Sequence, residues 1–158
     1  MLRDTGAIFV VNDHADIAAS VEADGVHLGQ DDLPLRDARK VLGPGRIIGI
    51  STHSIEQART AQAAGADYIG FGPVFSTSTK DAGPAQGIDV LRMICGAVAI
   101  PVIAIGGIRD RTVGDAAQAG AKGVAVVSAI LSARDISAAS RMMVNAIEKH
   151  MRGVSGEV

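Results

Sequence analysis

Short apolar runs rich in β-branched residues recur along the chain, separated by Ala-rich stretches with helical periodicity. The runs are AIFVV (7–11), GVHLG (25–29), RIIGIS (46–51), DYIGFG (67–72), PVIAIGG (101–107) and GVAVVS (123–128). Each is nearly continuous in hydrophobicity, the pattern of parallel strands buried on both faces. The intervening segments ADIAASVEA, LRDARKVL, SIEQARTAQAAG, GIDVLRMICGAV and DRTVGDAAQAG, with a final ISAASRMMVNAIEKHM, are built from good helix formers. The predicted period is therefore βα, with six strands. Strand entry itself repeats: EADGVHL, AGADYIGF and AGAKGVAV each set small or Gly residues where a helix gives way to a strand. Residues 1–150 are expected to form a single domain, and 151–158 a frayed tail.

Strict βα alternation is compatible with a doubly wound open sheet or with a TIM-type β/α barrel. No G-x-G-x-x-G follows the first run, which lowers the dinucleotide-binding reading. Polar residues gather instead at the carboxyl end of nearly every run: Asn12-Asp13, Gln30-Asp31-Asp32, Ser51-Thr52-His53, Ser76 to Lys80, Gly106-Gly107 and Ser128. Barrel enzymes collect their chemistry on the loops that follow the strands.

Composition narrows the partners. A net charge of −2 and 3% aromatic residues leave neither a basic stripe nor stacking platforms for nucleic acid. No apolar run approaches the ~18 residues of a membrane span and no secretory leader pattern opens the chain, so a cytoplasmic location without membrane contact is expected. Cys95, the single cysteine, permits no internal disulfide and sits at a helical core position.

Several polar positions carry two readings. Asn12 or Asp13 can cap the first helix; alternatively, Asp13 and Asp32 at adjacent strand ends can share a Mg²⁺, which takes oxygen ligands and keeps waters and substrate phosphates in its shell. Asp31 or Asp32 can equally cap the helix near Pro34. His27 reads as a satisfied, partly buried histidine rather than a catalytic one. Ser51 and His53 lack an acid at triad spacing, and Ser54 with Gln57 forms a capping box. Gly106-Gly107 is either a tight turn or a backbone cradle for phosphate. The segment FGPVFSTSTK (71–80) ends in a solvated loop or in hydroxyl and Lys80 donors for a polyanion.

Taken together, VND, DGVHLGQDD, IIGIS, ADYIGFGPVFSTSTK, IPVIAIGGI and GVAVVSAI resemble the thiamine phosphate synthase family, in the family's order and over nearly the whole chain. The resemblance implies a β/α barrel and a transferase joining a hydroxymethylpyrimidine diphosphate to a thiazole phosphate with release of diphosphate. It implies that Asp13 and Asp32 hold Mg²⁺, with Asn12 beside the diphosphate. Ser51 and Lys80 would bind the departing diphosphate, Thr77 and Thr79 the thiazole, and Gly107, Val127 and Ser128 its phosphate. By the same resemblance the six βα units match the family's third to eighth. The first two, with their Gln-x-Arg-x-Lys pattern, have no counterpart in the chain. A barrel so opened would expose two strand edges, which a homo-oligomer can cover. A phosphate-ligand-binding protein without catalysis and a thiazole tautomerase-like isomerase are the alternative functions.

Overall fold

The computed structural model describes residues 5–77 and 83–151. Its elements alternate as the hydrophobic pattern predicts: β1 (Val10–Asn12), α1 (Ala15–Ser20), β2 (Gly25–Leu28), α2 (Leu35–Leu42), β3 (Ile47–Thr52), α3 (Ile55–Ala63) and β4 (Tyr68–Phe71). There follow α4 (Ile88–Ala97), β5 (Val102–Ile105), a 3₁₀ turn (Asp110–Thr112), α5 (Val113–Gln118), β6 (Gly123–Ala125), α6 (Ser128–Leu131) and α7 (Ile136–Met151). The strands follow chain order in a six-stranded sheet, β1-β2-β3-β4-β5-β6. The β1–β2, β2–β3 and β5–β6 pairs are parallel. The chain packs as two compact units, Met1–Ile69 and Gly70–Val158.

In the first unit the core is made where β2 and β3 meet their helices. Val26, Leu28 and Ile48 are fully buried, as are Ala18, Ala38 and Ala58 on the inner faces of α1, α2 and α3. Alanine there lets a helix lie close to the sheet, which is why the helical segments are Ala-rich. Register places Asn12 opposite His27, and His27 opposite Gly49. In a parallel sheet these three positions share one face. The second unit buries Leu91 and Ile94 of α4, Ala104 of β5, Val113 and Ala116 of α5, and Met143 of α7.

The repeat seen in the sequence is a repeat of hydrogen bonds. After α1, α3 and α5 the chain turns through Glu22, Gly65 and Gly120, all with positive φ (54°, 87° and 102°). Their N–H groups bond to Ala19, Gln62 and Ala117, and those of Ala23, Ala66 and Ala121 reach back to Ala18, Ala61 and Ala116. These are the paired carbonyl contacts that close a helix with a left-handed residue. The next N–H then enters the sheet: Asp24 donates to Phe9 O, Asp67 to Ile48 O and Lys122 to Val102 O, each at 2.9 Å. In the first two repeats the aspartate returns the contact, Asp24 Oδ2 accepting from Phe9 N and Asp67 Oδ2 from Ile48 N, both at 2.7 Å.

Several boundaries differ from the expectation. β1 starts at Val10 rather than residue 7 because Phe9 N bonds the Asp24 carboxylate and Ile8 is 65% exposed. β6 ends at Ala125 rather than at Ser128, which instead begins the short helix α6. The N-cap of α1 is His14, without a side-chain bond, so neither Asn12 nor Asp13 caps that helix. Pro34 occupies the N-cap of α2, so Asp31 and Asp32 do not cap that one. The Ser54–Gln57 cap is present: Ser54 Oγ accepts from Gln57 N at 3.2 Å, and Gln57 Oε1 accepts from His53 N at 2.7 Å. Met151, first residue of the expected tail, is buried at the end of α7; residues 152–158 lie outside the described residues.

A Cβ at Gly65 would meet open space, so Gly65→Ala isolates backbone strain. The left-handed conformation should then cost about 1–2 kcal/mol, read as a lower midpoint at unchanged slope in urea denaturation.

Candidate functional site

The first unit presents a polar cluster where β1, β2 and β3 end. Asp13 follows β1 at φ 68°, with its N–H bonded to His27 O at 2.8 Å, while His14 N bonds Asn12 O at 2.9 Å. That i to i+2 contact is a tight turn around a positive-φ residue, an uncommon conformation that aspartate tolerates better than most. Its effect is to end β1 abruptly and leave Asp13, half-buried, at the strand's carboxyl end. Asp32 lies on the turn after β2, where one carboxylate oxygen accepts from Gly29 N at 2.6 Å. Gln30 of the same turn donates its amide to Ser51 O at 2.6 Å, tying the end of β2 to that of β3.

Ser51 lies two residues beyond Gly49 on β3, hence on the same face. Its Oγ is 2.9 Å from His27 Nε2. The other ring nitrogen, Nδ1, is 2.9 Å from Tyr68 Oη, and the two rings stack with centroids 5.4 Å apart. Gly49 makes this contact available. A Cβ there would collide with the Tyr68 ring, so the absent side chain is the passage through which Tyr68 reaches β2. Burial pushes the Tyr68 phenol above its ordinary pKa. His27 is therefore a satisfied, half-buried histidine, as its place in an apolar strand suggested. Tyr68 was missed by the sequence reading, although a glycine inside a strand is a recognised mark of close approach.

The second unit carries a cavity of about 80 Å³ lined by Ser76, Thr77, Gly107, Ile108, Arg109, Ser128 and Ala129. It draws on the segments that follow β4, β5 and β6. The chain beyond β4 continues alongside β5, Val74 N bonding Ile105 O at 2.9 Å and Phe75 N bonding Gly106 O at 3.1 Å. Gly106 and Gly107 both have positive φ, and a Cβ on Gly107 would stand 2.5 Å from Ser76 O. The two glycines are thus demanded by the turn and by the close crossing of 73–76. Gly107 also borders the cavity, so the turn and cradle readings coexist. Val127 is 53% exposed and is not among the lining residues. Arg109 brings a cation that the motifs did not flag.

Thr79 and Lys80 lie outside the described residues. Cys95, expected at a core position, is instead half-buried on α4, and burial raises its thiol pKa. Among the described residues, no three His, Cys, Asp or Glu side chains group to hold a metal. Metal binding by Asp13 and Asp32 would therefore be of the two-carboxylate type, completed by water and substrate oxygens, which suits Mg²⁺ better than the softer transition metals. No helix among the described residues is long and apolar enough to cross a membrane.

A βα chain with polar groups and a small cavity at its strand ends has the design of an enzyme that works from the loops following its strands. The sequence profile of thiamine monophosphate synthase matches residues 1–130, and the chain belongs to that family. It is a transferase of thiamine biosynthesis. It is 49% identical over 144 residues to the thiamine-phosphate synthase of Moorella thermoacetica, covering 90% of this chain and 69% of that one. With the enzyme of Shouchella clausii it shares 48% over 150 residues, covering 94% and 72%. The structure of the thiamine phosphate pyrophosphorylase of Pyrococcus furiosus superposes with a TM-score of 0.88 at 40% identity, over 95% of this chain and 72% of that one.

Two glycine substitutions should separate the clusters. Gly107→Ala should lower stability by about 1–3 kcal/mol through the clash with Ser76 and enlarge or close the cavity, seen as altered phosphate affinity in calorimetry. Gly49→Ala should cost a similar ~1–3 kcal/mol and shift Tyr68 absorbance.

Proposed function

We propose that the chain joins hydroxymethylpyrimidine diphosphate to thiazole phosphate, forming thiamine phosphate and releasing diphosphate. The observation that carries this is the second unit's cavity. It gathers Thr77, Gly107 and Ser128, the residues that the family resemblance gives to the thiazole and its phosphate. In this reading Thr77 and Thr79 orient the thiazole, and backbone near Gly107, Val127 and Ser128 holds its phosphate, with Arg109 adding a cation. Ser51 and Lys80 bind the diphosphate as it leaves, and Asn12 lies beside it. Asp13 and Asp32 hold Mg²⁺, which when bound neutralises charge on the diphosphate.

The reaction breaks the methylene carbon–oxygen bond of the pyrimidine, and the diphosphate departs with the electron pair. The thiazole nitrogen supplies its lone pair to that carbon. No proton abstraction from the carbon and no protein nucleophile are needed, so the protein contributes placement and stabilisation of developing charge. The six βα units are read as the third to eighth of a β/α barrel. That reading rests on the order of the family motifs; the chain itself spans about seven-tenths of the length of the relatives it matches. A homo-oligomer covering exposed strand edges belongs to the same reading, and light scattering at high concentration measures it.

Mixing both substrates with Mg²⁺ should yield thiamine phosphate. Lys80→Ala and Asp32→Asn should each lower kcat by about 10²–10³-fold, the range for removing one group that stabilises transition-state charge. Binding of thiazole phosphate without any product at high protein concentration would reject the transferase reading in favour of a binding protein.

A further inference from the structure

The Tyr68–His27–Ser51 chain lies in one unit and joins three half-buried groups across β4, β2 and β3, with both links at 2.9 Å. A hydroxyl poised to bind an anion has to offer its proton outward. Whether Ser51 can do so depends on the other end of the chain.

A neutral imidazole has one donor and one acceptor nitrogen. If Tyr68 donates its phenol proton to Nδ1, the ring proton sits on Nε2 and is donated to Ser51 Oγ. The serine lone pair is then engaged from within, and its own proton is free to point to a ligand. In the opposite arrangement Nδ1–H donates to the phenol oxygen, and Ser51 must give its proton inward to Nε2. It would then meet an anionic oxygen with lone pairs only. Both arrangements make two hydrogen bonds, but the first uses the phenol, the more acidic of the two hydroxyls, as the donor to imidazole and the serine oxygen as the acceptor. The raised pKa of the phenol keeps that proton in place at neutral pH.

We propose that Tyr68 and His27 are positioning residues that fix the Ser51 hydroxyl as a hydrogen-bond donor toward an anionic phosphate oxygen at the carboxyl end of β3. The proposal rests on the reading of Ser51 as a diphosphate ligand. Gly49 is part of the device, because any side chain there would bar Tyr68 from the ring.

The tautomer can be read directly by ¹⁵N NMR of the histidine side chains in the unliganded protein, with His27 assigned by its loss in His27→Gln. The expected result is a proton on Nε2 in the wild type and a mixed tautomer in Tyr68→Phe, which keeps the ring and removes only the hydroxyl. Inorganic diphosphate with Mg²⁺ serves as the binding probe. Tyr68→Phe should weaken it about 3- to 10-fold, the scale of one neutral hydrogen bond, and Ser51→Ala added to that variant should weaken it little further. His27→Gln, whose amide N–H can stand where Nε2–H stood, should bind more tightly than His27→Leu. A wild-type ring protonated on Nδ1 overturns the proposal without reference to any variant. Weakening by Ser51→Ala with no effect of Tyr68→Phe overturns it while leaving Ser51 a ligand. An unchanged affinity in Ser51→Ala rejects the ligand reading itself, and the proposal with it.

Discussion

The N–H of the residue that enters each repeated strand bonds to a carbonyl of the strand before, at Asp24, Asp67 and Lys122 alike. Because side chains alternate along a strand, a slip of one residue at such a contact would turn every following side chain to the opposite face. The left-handed turn just upstream fixes where the helix stops, and the entry bond fixes where the strand starts. His27, Gly49 and Ser51 share a face only because this register holds. The aspartates reinforce it in the first two repeats by accepting a strand N–H. Lys122 offers no carboxylate, so the third repeat relies on backbone alone.

Glycine does a different job in the two clusters. In the first, Gly49 removes a side chain so that Tyr68 can pass over a strand to reach His27. In the second, Gly106 and Gly107 let the chain after β5 turn through positive φ beneath residues 73–76. One is a lateral passage through a sheet face and the other a compact crossing of two loops. In each case a missing side chain admits a group from a neighbouring segment, the Tyr68 ring in the first unit and the backbone of residues 73–76 in the second.

The βα order was legible because apolar runs and Ala-rich helical faces are long-range consequences of burial. The final helix was legible up to its last residue, Met151, since its 3.6-residue periodicity is sustained over four turns. The strand ends were not. β1 is short because Phe9 bonds the carboxylate of Asp24, fifteen residues away, a contact that no local pattern announces. The capping reading of Asn12 and Asp13 failed because the chain closes a three-residue turn before the helix begins. Of the candidate site, the family motifs pointed to Ser51, Thr77, Gly107 and Ser128. Arg109 and Tyr68 follow only from where loops and rings come to rest.

The chain has one tyrosine and no tryptophan. That tyrosine is Tyr68, stacked on His27 and one hydrogen-bonded step from Ser51. The near-ultraviolet absorbance and emission of the protein are thus dominated by a single phenol at one strand-end cluster. Any event that rearranges the hydrogen bonds there changes an optical signal with almost no background, and the unmodified protein carries its own spectroscopic probe.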